Sequence, residues 1–335
     1  MTLLAFLTAL LVSLCIDDYA SRQQQGQDAE TLGKLLFFDK RLSADATVSC
    51  ATCHIPSQAF TDGRATSVGA SGRVGTRNST SLLDVAHLKS FFWDGRESTL
   101  ADAVLQPFTN PAELGHVHMA DVESVLASTP EYRMQFFRQY GRAPDSAGIA
   151  HSLSTYIRSL EPGTTRLERY LLSGDATLLS DDEITGLSLF RGKANCSSCH
   201  VIDEETAPLT DNRFHHAGVG FELVAGQIAP LIAKINNEAA SGIPLGNLVL
   251  QRKEIAELGR FVKTGSPSDL GAFRTPTLRN VARTAPYMHD GSVRTLEAAV
   301  ERELYYRGIS MGRPISLTTE ERRQLQAFLQ TLSIE

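Results

Sequence analysis

Two pentapeptides constrain this chain more than anything else in it. Cys50-Ala51-Thr52-Cys53-His54 and Cys196-Ser197-Ser198-Cys199-His200 are two copies of one pattern, Cys-x-x-Cys-His. They use four of the five cysteines, and the fifth, Cys15, lies in an apolar leader. No cysteine is left for a structural disulfide, and the spacing is not that of a disulfide framework. The pattern is the attachment sequence for c-type haem. Two thiols add across the two vinyl groups of the porphyrin, which fixes their separation, and the next His sits under the iron. A zinc knuckle is the competing use of cysteine pairs, but zinc does not demand a His directly after each pair. Cys50, Cys53, Cys196 and Cys199 are therefore expected to hold two covalent haems, with His54 and His200 as proximal ligands.

The rest of the chain is compatible with a soluble two-domain protein. Its 335 residues suit two domains rather than one core. Apolar residues at 42% and charged residues at 21% exclude disorder and a multi-span membrane protein. A formal charge of −6 offers no basic surface for nucleic acid. Residues 1–20 contain the apolar run Leu3 to Val12, too short for the roughly 20 residues of a membrane span. The segment reads as a signal peptide, although no Lys or Arg precedes the run. An uncleaved anchor, or a lipid on Cys15, is the alternative, and either way an exported, periplasmic chain is expected.

Helical patterns dominate the chain beyond residue 28. The periodicity predicts helices over 30–38, 119–140, 149–160 and 184–190, and a last helix opened by Leu317-Thr318-Thr319-Glu320. Ser180-Asp181-Asp182-Glu183 has the form of a helix N-cap. Few runs alternate with period two. In each half an apolar-aromatic helix end (Leu35 to Phe38; Leu187 to Phe190) precedes the Cys-x-x-Cys-His. We read this as a repeat of one haem domain, over 28–165 and 175–335, in a mostly α fold with long ordered loops.

Longer motifs surround both sites. Leu32-Gly33-Lys34-Leu35-Leu36-Phe37-Phe38 leads to the first, and Ala59 to Arg64, Arg77-Asn78-Ser79 and Phe91-Phe92-Trp93-Asp94-Gly95-Arg96 follow it. Phe273-Arg274-Thr275-Pro276-Thr277-Leu278-Arg279-Asn280 and Thr284-Ala285-Pro286-Tyr287-Met288-His289-Asp290-Gly291 follow the second. In their order and spacing these closely resemble the bacterial di-haem cytochrome c peroxidase and MauG family, over residues of about 30 to 330. The resemblance implies two cytochrome c-like domains packed face to face. It implies that the N-terminal haem meets hydrogen peroxide and that the C-terminal haem transfers electrons. The peroxide is reduced to water through a high-valent state shared by the two haems. The electrons come from a small redox protein, a c-type cytochrome or a cupredoxin. The alternative is a MauG-like oxidation of Trp or Tyr residues on a partner protein. A homodimer is a further expectation.

By the same resemblance Trp93 lies between the haems and relays charge, whereas a generic Trp would be a core aromatic. Glu113 matches the distal acid that moves a proton during O–O cleavage, and Pro107 shapes its pocket. Arg96 and His289 are expected beside the haems, Arg96 on a propionate or in a surface ion pair. A calcium ion is implied, held by the Asn78 side chain and the carbonyls of Thr284 and Pro286. Three departures matter. The loop Ser67 to Thr76 has no His to cap the first iron, which is then five-coordinate without any reductive activation. Ala103 stands where the family often has Gln. At the second iron the usual ligand position holds Glu303, so Tyr305, brought into register by an insertion, or Met311 is expected as the distal ligand.

Overall fold

The computed structural model describes residues 26–160, 163–203 and 207–334. The leader over 1–20, with Cys15, lies outside them. No helix among the described residues is long and apolar enough to cross a membrane.

The first half begins with helix α1 (26–38). Its Leu32, Leu36 and Phe37 are buried, the spacing of one helical face. After α2 (Cys50–Cys53), the single turn that carries the first cysteine pair, come α3 (Leu100–Thr109), α4 (Met119–Ser128), α5 (Pro130–Tyr140) and α6 (Ser146–Arg158). The periodicity suggests one helix over 119–140. The structure divides it at Thr129, which takes an extended backbone of φ −92°, ψ 111° ahead of Pro130. Proline disfavours the α conformation in the residue before it and is tolerated at a first helical position, so one helix ends where the next begins. Asp145 caps α6 by accepting from Gly148 N–H, and Ile149, Leu153 and Ile157 form its buried stripe.

The second half repeats the plan. Helices α7 (Arg166–Ser173) and α8 (Asp181–Arg191) each open with a capping box, Thr165 with Glu168 and Ser180 with Glu183. Beyond them lie α9 (Ile228–Ala240), α10 (Leu245–Gln251), α11 (Lys253–Ala256), α12 (Phe261–Thr264), α13 (Leu296–Ser310) and α14 (Thr319–Gln330). Two short strands, β1 (Phe214–His216) and β2 (Ala272–Arg274), pair antiparallel with His215 opposite Phe273.

A glycine marks the repeat physically. A Cβ on Gly33 of α1 would lie 1.9 Å from the Ser152 carbonyl oxygen of α6. A Cβ on Gly186 of α8 would lie 2.1 Å from the Gln324 carbonyl oxygen of α14. In both halves the helix preceding the Cys-x-x-Cys-His thus crosses the last helix backbone to backbone, a contact no side chain permits. Each half has its own apolar core, one around Phe37, Phe108, Phe136 and Leu153, the other around Phe190, Leu304, Phe328 and Leu332. A third cluster, around Val224, Leu231, Val249 and Ile255, belongs to residues 221–270.

The halves are joined by polar clamps. The buried guanidinium of Arg279 meets Asp84 of the first half at 2.5 Å and Glu168 of α7. Asn212 bonds the backbone on either side of Leu88, accepting from Lys89 N–H and donating to the His87 carbonyl, each at 3.2 Å. The α10 region of the second half reaches across to the first, where the Val249 carbonyl accepts from Thr76 Oγ1 at 2.7 Å.

Candidate active site

Two clefts open beside the two cysteine motifs. The first is lined by Cys50, Cys53 and His54 and walled by Phe37, Val48, Phe91, Leu100, Leu153 and other apolar side chains. The His54 ring is fixed by the loop behind it, with Nδ1–H donating to the Phe60 carbonyl at 3.0 Å. Nε2 is thereby the nitrogen with a lone pair to offer, and burial holds the ring below the ordinary histidine range, hence neutral. The second site repeats this. His200 Nδ1–H donates to the Leu209 carbonyl at 2.9 Å, and burial lowers the ring to about 4.

The polar side of the first cleft is built on the turn that ends α3. Pro107 lines the cleft and accepts Leu114 N–H at 3.0 Å. The side chain of Asn110, 1% exposed, accepts from Ala112 N–H at 2.9 Å and donates to the Gly246 carbonyl of α10 at 3.2 Å. Glu113 N–H returns to the Asn110 carbonyl at 3.0 Å. This turn sets Glu113 in the cleft that His54 lines. Its Oε2 is buried and has no hydrogen-bond partner among the described residues. Burial pushes the carboxyl up to about 7, against the opposing pull of the Arg96 charge. Arg96 itself is buried, held by Asp94 at 2.9 Å and Gln106 at 2.9 Å and lying over the Phe92 ring at 3.6 Å. Arg96 lines the cleft, and its pair with Asp94 is buried rather than on the surface.

The loop without histidine lies over the same turn. Ala70 N–H donates to the Glu113 carbonyl at 2.7 Å, and a Cβ on Gly69 would sit 2.2 Å from the Ala112 carbonyl oxygen. Ser67, Gly69 and Gly75 line the cleft, and none of them can bind iron. His87 and His116 do not line it, and His116 Nε2 is engaged with the Leu42 carbonyl at 3.1 Å.

Trp93 lines both clefts. Its Nε1–H donates to the Asn78 carbonyl at 2.9 Å, and its own carbonyl accepts Arg274 N–H at 2.8 Å. One ring away is His289, 6.5 Å between centroids, stacked on Phe273 at 3.7 Å. His289 Nε2 meets Glu257, which is 0% exposed, at 2.7 Å. Arg77 stands behind this pair, 4.0 Å from Glu257 and bonded to the Ala256 carbonyl.

The second cleft is lined by Cys196, Cys199, His200, Asn78, Thr284, Pro286 and Met288, and by one face of α13. That face consists of Leu296, Ala299, Val300, Glu303, Leu304 and Arg307, the spacing of an unbroken α-helix. Tyr305 falls on the opposite side and is 64% exposed. Met311, at the end of α13, does not line the cleft, and its Sδ accepts from Asn195 Nδ2 at 3.4 Å. The expectation of Tyr305 or Met311 as distal ligand is therefore not met. α13 contains no extra turn residue to rotate Tyr305 inward.

Comparison with known proteins agrees with this geometry. The family model for di-haem cytochrome c peroxidase matches residues 27–177. The chain is 33% identical over 308 residues to the cytochrome-c peroxidase IdrP2 of Pseudomonas sp. strain SCT, covering 90% of this chain and 80% of that one. The chain belongs to the di-haem cytochrome c peroxidase family. It is likewise 33% identical over 314 residues to the methylamine utilization protein MauG of Methylorubrum extorquens, covering 91% and 78%. Among solved structures, a MauG-like protein associated with microbial copper homeostasis matches with a TM-score of 0.70 and 29% identity, covering 92% of this chain and 90% of that one.

Membership in the di-haem family implies two haem c groups, and the residues present fit them. Each cleft offers an apolar wall, two cysteines and a neutral histidine with one nitrogen unspent. Three residues that shape the site carry no assignment from the sequence alone: Asn110, Arg77 and Glu257. Arg77 stands in the motif Arg77-Asn78-Ser79 without a role readable there, and Glu257 shows as a charge inside the apolar run Ile255-Ala256-Glu257-Leu258.

Proposed function

We propose that this chain is a periplasmic c-type peroxidase that reduces hydrogen peroxide to water in the first cleft. The observation that carries the reading is Glu113, whose buried and unpartnered Oε2 shares that cleft with the His54 ring. Held by Cys50, Cys53 and His54, a bound haem would supply an iron for peroxide and the electrons for O–O cleavage. The chain's residues handle the protons. Glu113, as carboxylate, accepts the proton of the near peroxide oxygen at Oε2. It then donates that proton to the far oxygen, which leaves as water. Two further protons and two electrons convert the remaining oxygen to a second water. Arg96, itself neutralised by Asp94, favours the ionised state of Glu113. Apolar walls and the lid of Ser67 to Gly75 keep bulk water from the acid.

Trp93, shared by the two clefts, is the route by which an oxidising equivalent is divided between them. The donor is a small c-type cytochrome or cupredoxin that delivers one electron at a time. Calcium is part of the proposal. The Asn78 side chain and the Thr284 and Pro286 carbonyls lie around the second cleft, and none of these oxygens accepts a hydrogen bond from a described residue. Asn78 Nδ2 donates to the Arg64 carbonyl at 2.8 Å, which orients Oδ1 as a hard donor of the kind calcium takes.

A second reading, oxidation of Trp or Tyr on a partner protein, is favoured by one observation. No side chain of the Ser67 to Gly75 lid can cap the first iron, so the site is ready for peroxide without a reduced donor. The test is peroxide consumption by the purified holoprotein, with a reduced c-type cytochrome in excess. Rapid turnover that Glu113→Gln abolishes supports the peroxidase. Peroxide uptake without oxidation of any small redox protein supports the second reading.

A further inference from the structure

The second cleft contains a carboxylate that the proposed peroxide chemistry does not use. Glu303 is the one Asp or Glu among the residues lining that cleft. It sits mid-way along α13, on the face shared with Leu296, Ala299, Val300, Leu304 and Arg307. Its side chain forms no hydrogen bond and no ion pair within 4.0 Å to a described residue. Burial pushes its carboxyl above the ordinary range, against the opposing pull of Arg307 one turn on, Arg302 beside it and His215 from β1.

The other donors around the cleft are spent or poorly matched. His200 is committed to the proximal side. His215 Nε2 is engaged with Asp211 at 2.7 Å, and His289 Nε2 with Glu257 at 2.7 Å. The Tyr287 hydroxyl donates to the Val281 carbonyl at 2.9 Å. His216 is exposed. Met288 is the one thioether on the wall, in a turn with φ +73°.

We propose that Glu303 is the distal oxygen ligand of the second haem iron, placed there by the inward face of α13. The proposal rests on the reading of the second Cys-x-x-Cys-His as a haem site. A carboxylate is a hard anionic donor and favours the oxidised iron over the reduced one, whereas a thioether does the reverse. The second haem would then hold an oxidising equivalent more readily than one ligated by methionine.

The test uses the purified full-length holoprotein in its oxidised state. Haem per chain is counted by the pyridine haemochrome, the iron states are read by electron paramagnetic resonance and absorption, and both midpoints by redox titration. Glu303→Gln keeps the shape and removes the anion. Glu303→Met supplies a thioether at the same place, and Tyr305→Phe is the control. The expected result is two haems per chain throughout. Glu303→Gln changes the ferric signal of one haem only, Glu303→Met raises one midpoint only, and Tyr305→Phe matches the parent. Ferric signals and midpoints in Glu303→Gln and Glu303→Met identical to the parent, with two haems bound, would overturn the ligand and leave Glu303 as a counter-charge to Arg307. A change on Tyr305→Phe alone would overturn it as well. A parent protein with fewer than two haems would overturn instead the haem reading beneath the proposal.

Discussion

Glu113 shows how much a single residue's setting matters. An ordinary surface carboxyl titrates near 4.3 and is too weak a base to take a proton from peroxide at useful speed. Burial raises this one to about 7, which places its two protonation states in balance near neutrality. The sign follows directly. The first proton transfer needs the carboxylate, so the rate of reaction with peroxide should rise with pH through a single limb near 7 and level off above it. Stopped-flow measurement between pH 5 and 9 checks this, with a roughly tenfold loss per unit below the limb. Glu113→Gln should erase the limb and slow the reaction by about 10²–10⁴-fold. A profile flat across that range would assign the proton transfer elsewhere. The motif around Glu113 was legible in the sequence, but its burial was not. The apolar groups that share its cleft, among them Leu100, Ala103 and Leu153, come from α3 and α6, outside the motif.

At the scale of elements, the decisive pieces are short turns and the helices that anchor them. The turn from Pro107 to Glu113 is fixed by Asn110, and Asn110 is fixed by α10 of the other half. Asn110→Ala would leave Ala112 N–H unpaired and cut the tie to the Gly246 carbonyl of α10, at a cost of about 1–3 kcal/mol in buried surroundings. We expect a lower denaturant midpoint and a slower peroxide reaction, with both haems still attached by haemochrome count. Unchanged kinetics would mean that the turn holds its shape without this side chain. Helix periodicity and capping were readable where they depend on local sequence, as at Ser180 with Glu183, while at the last helix the cap is Thr318 with Glu321, one residue beyond the stretch Leu317 to Glu320. The inward face of α13 was not readable, because a helix with charges scattered around it has no dominant stripe. The family register already put Glu303 at the ligand position, and Tyr305 came into play only through an assumed insertion, which the unbroken α13 does not contain.

The whole molecule is two similar halves held in register so that one indole can border both clefts. Arg279 is central to that register, since it faces Asp84 of the first half and Glu168 of α7 with 7% of its side chain exposed. Arg279→Met would strand two mostly buried carboxylates, and breaking such a pair costs about 3–5 kcal/mol. Urea unfolding should show that loss, and a change below about 1 kcal/mol would place the joint between the halves elsewhere. The repeat itself was visible as two cysteine motifs behind two apolar helix ends. The third cluster over 221–270 was not foreseen. It closes against the first cleft through long-range contacts that no local pattern records, such as Thr76 with Val249.

The proposed function requires the first iron to be open in the oxidised protein and served by Glu113. The most direct measurement adds one equivalent of hydrogen peroxide to the fully oxidised holoprotein, with no reductant, and monitors the haem absorption by stopped flow. The expected result is an immediate change involving both haems in the parent protein, slowed by at least about a hundredfold in Glu113→Gln. No change until one haem has been reduced would mean that a side chain caps the first iron, contrary to an open site served by Glu113.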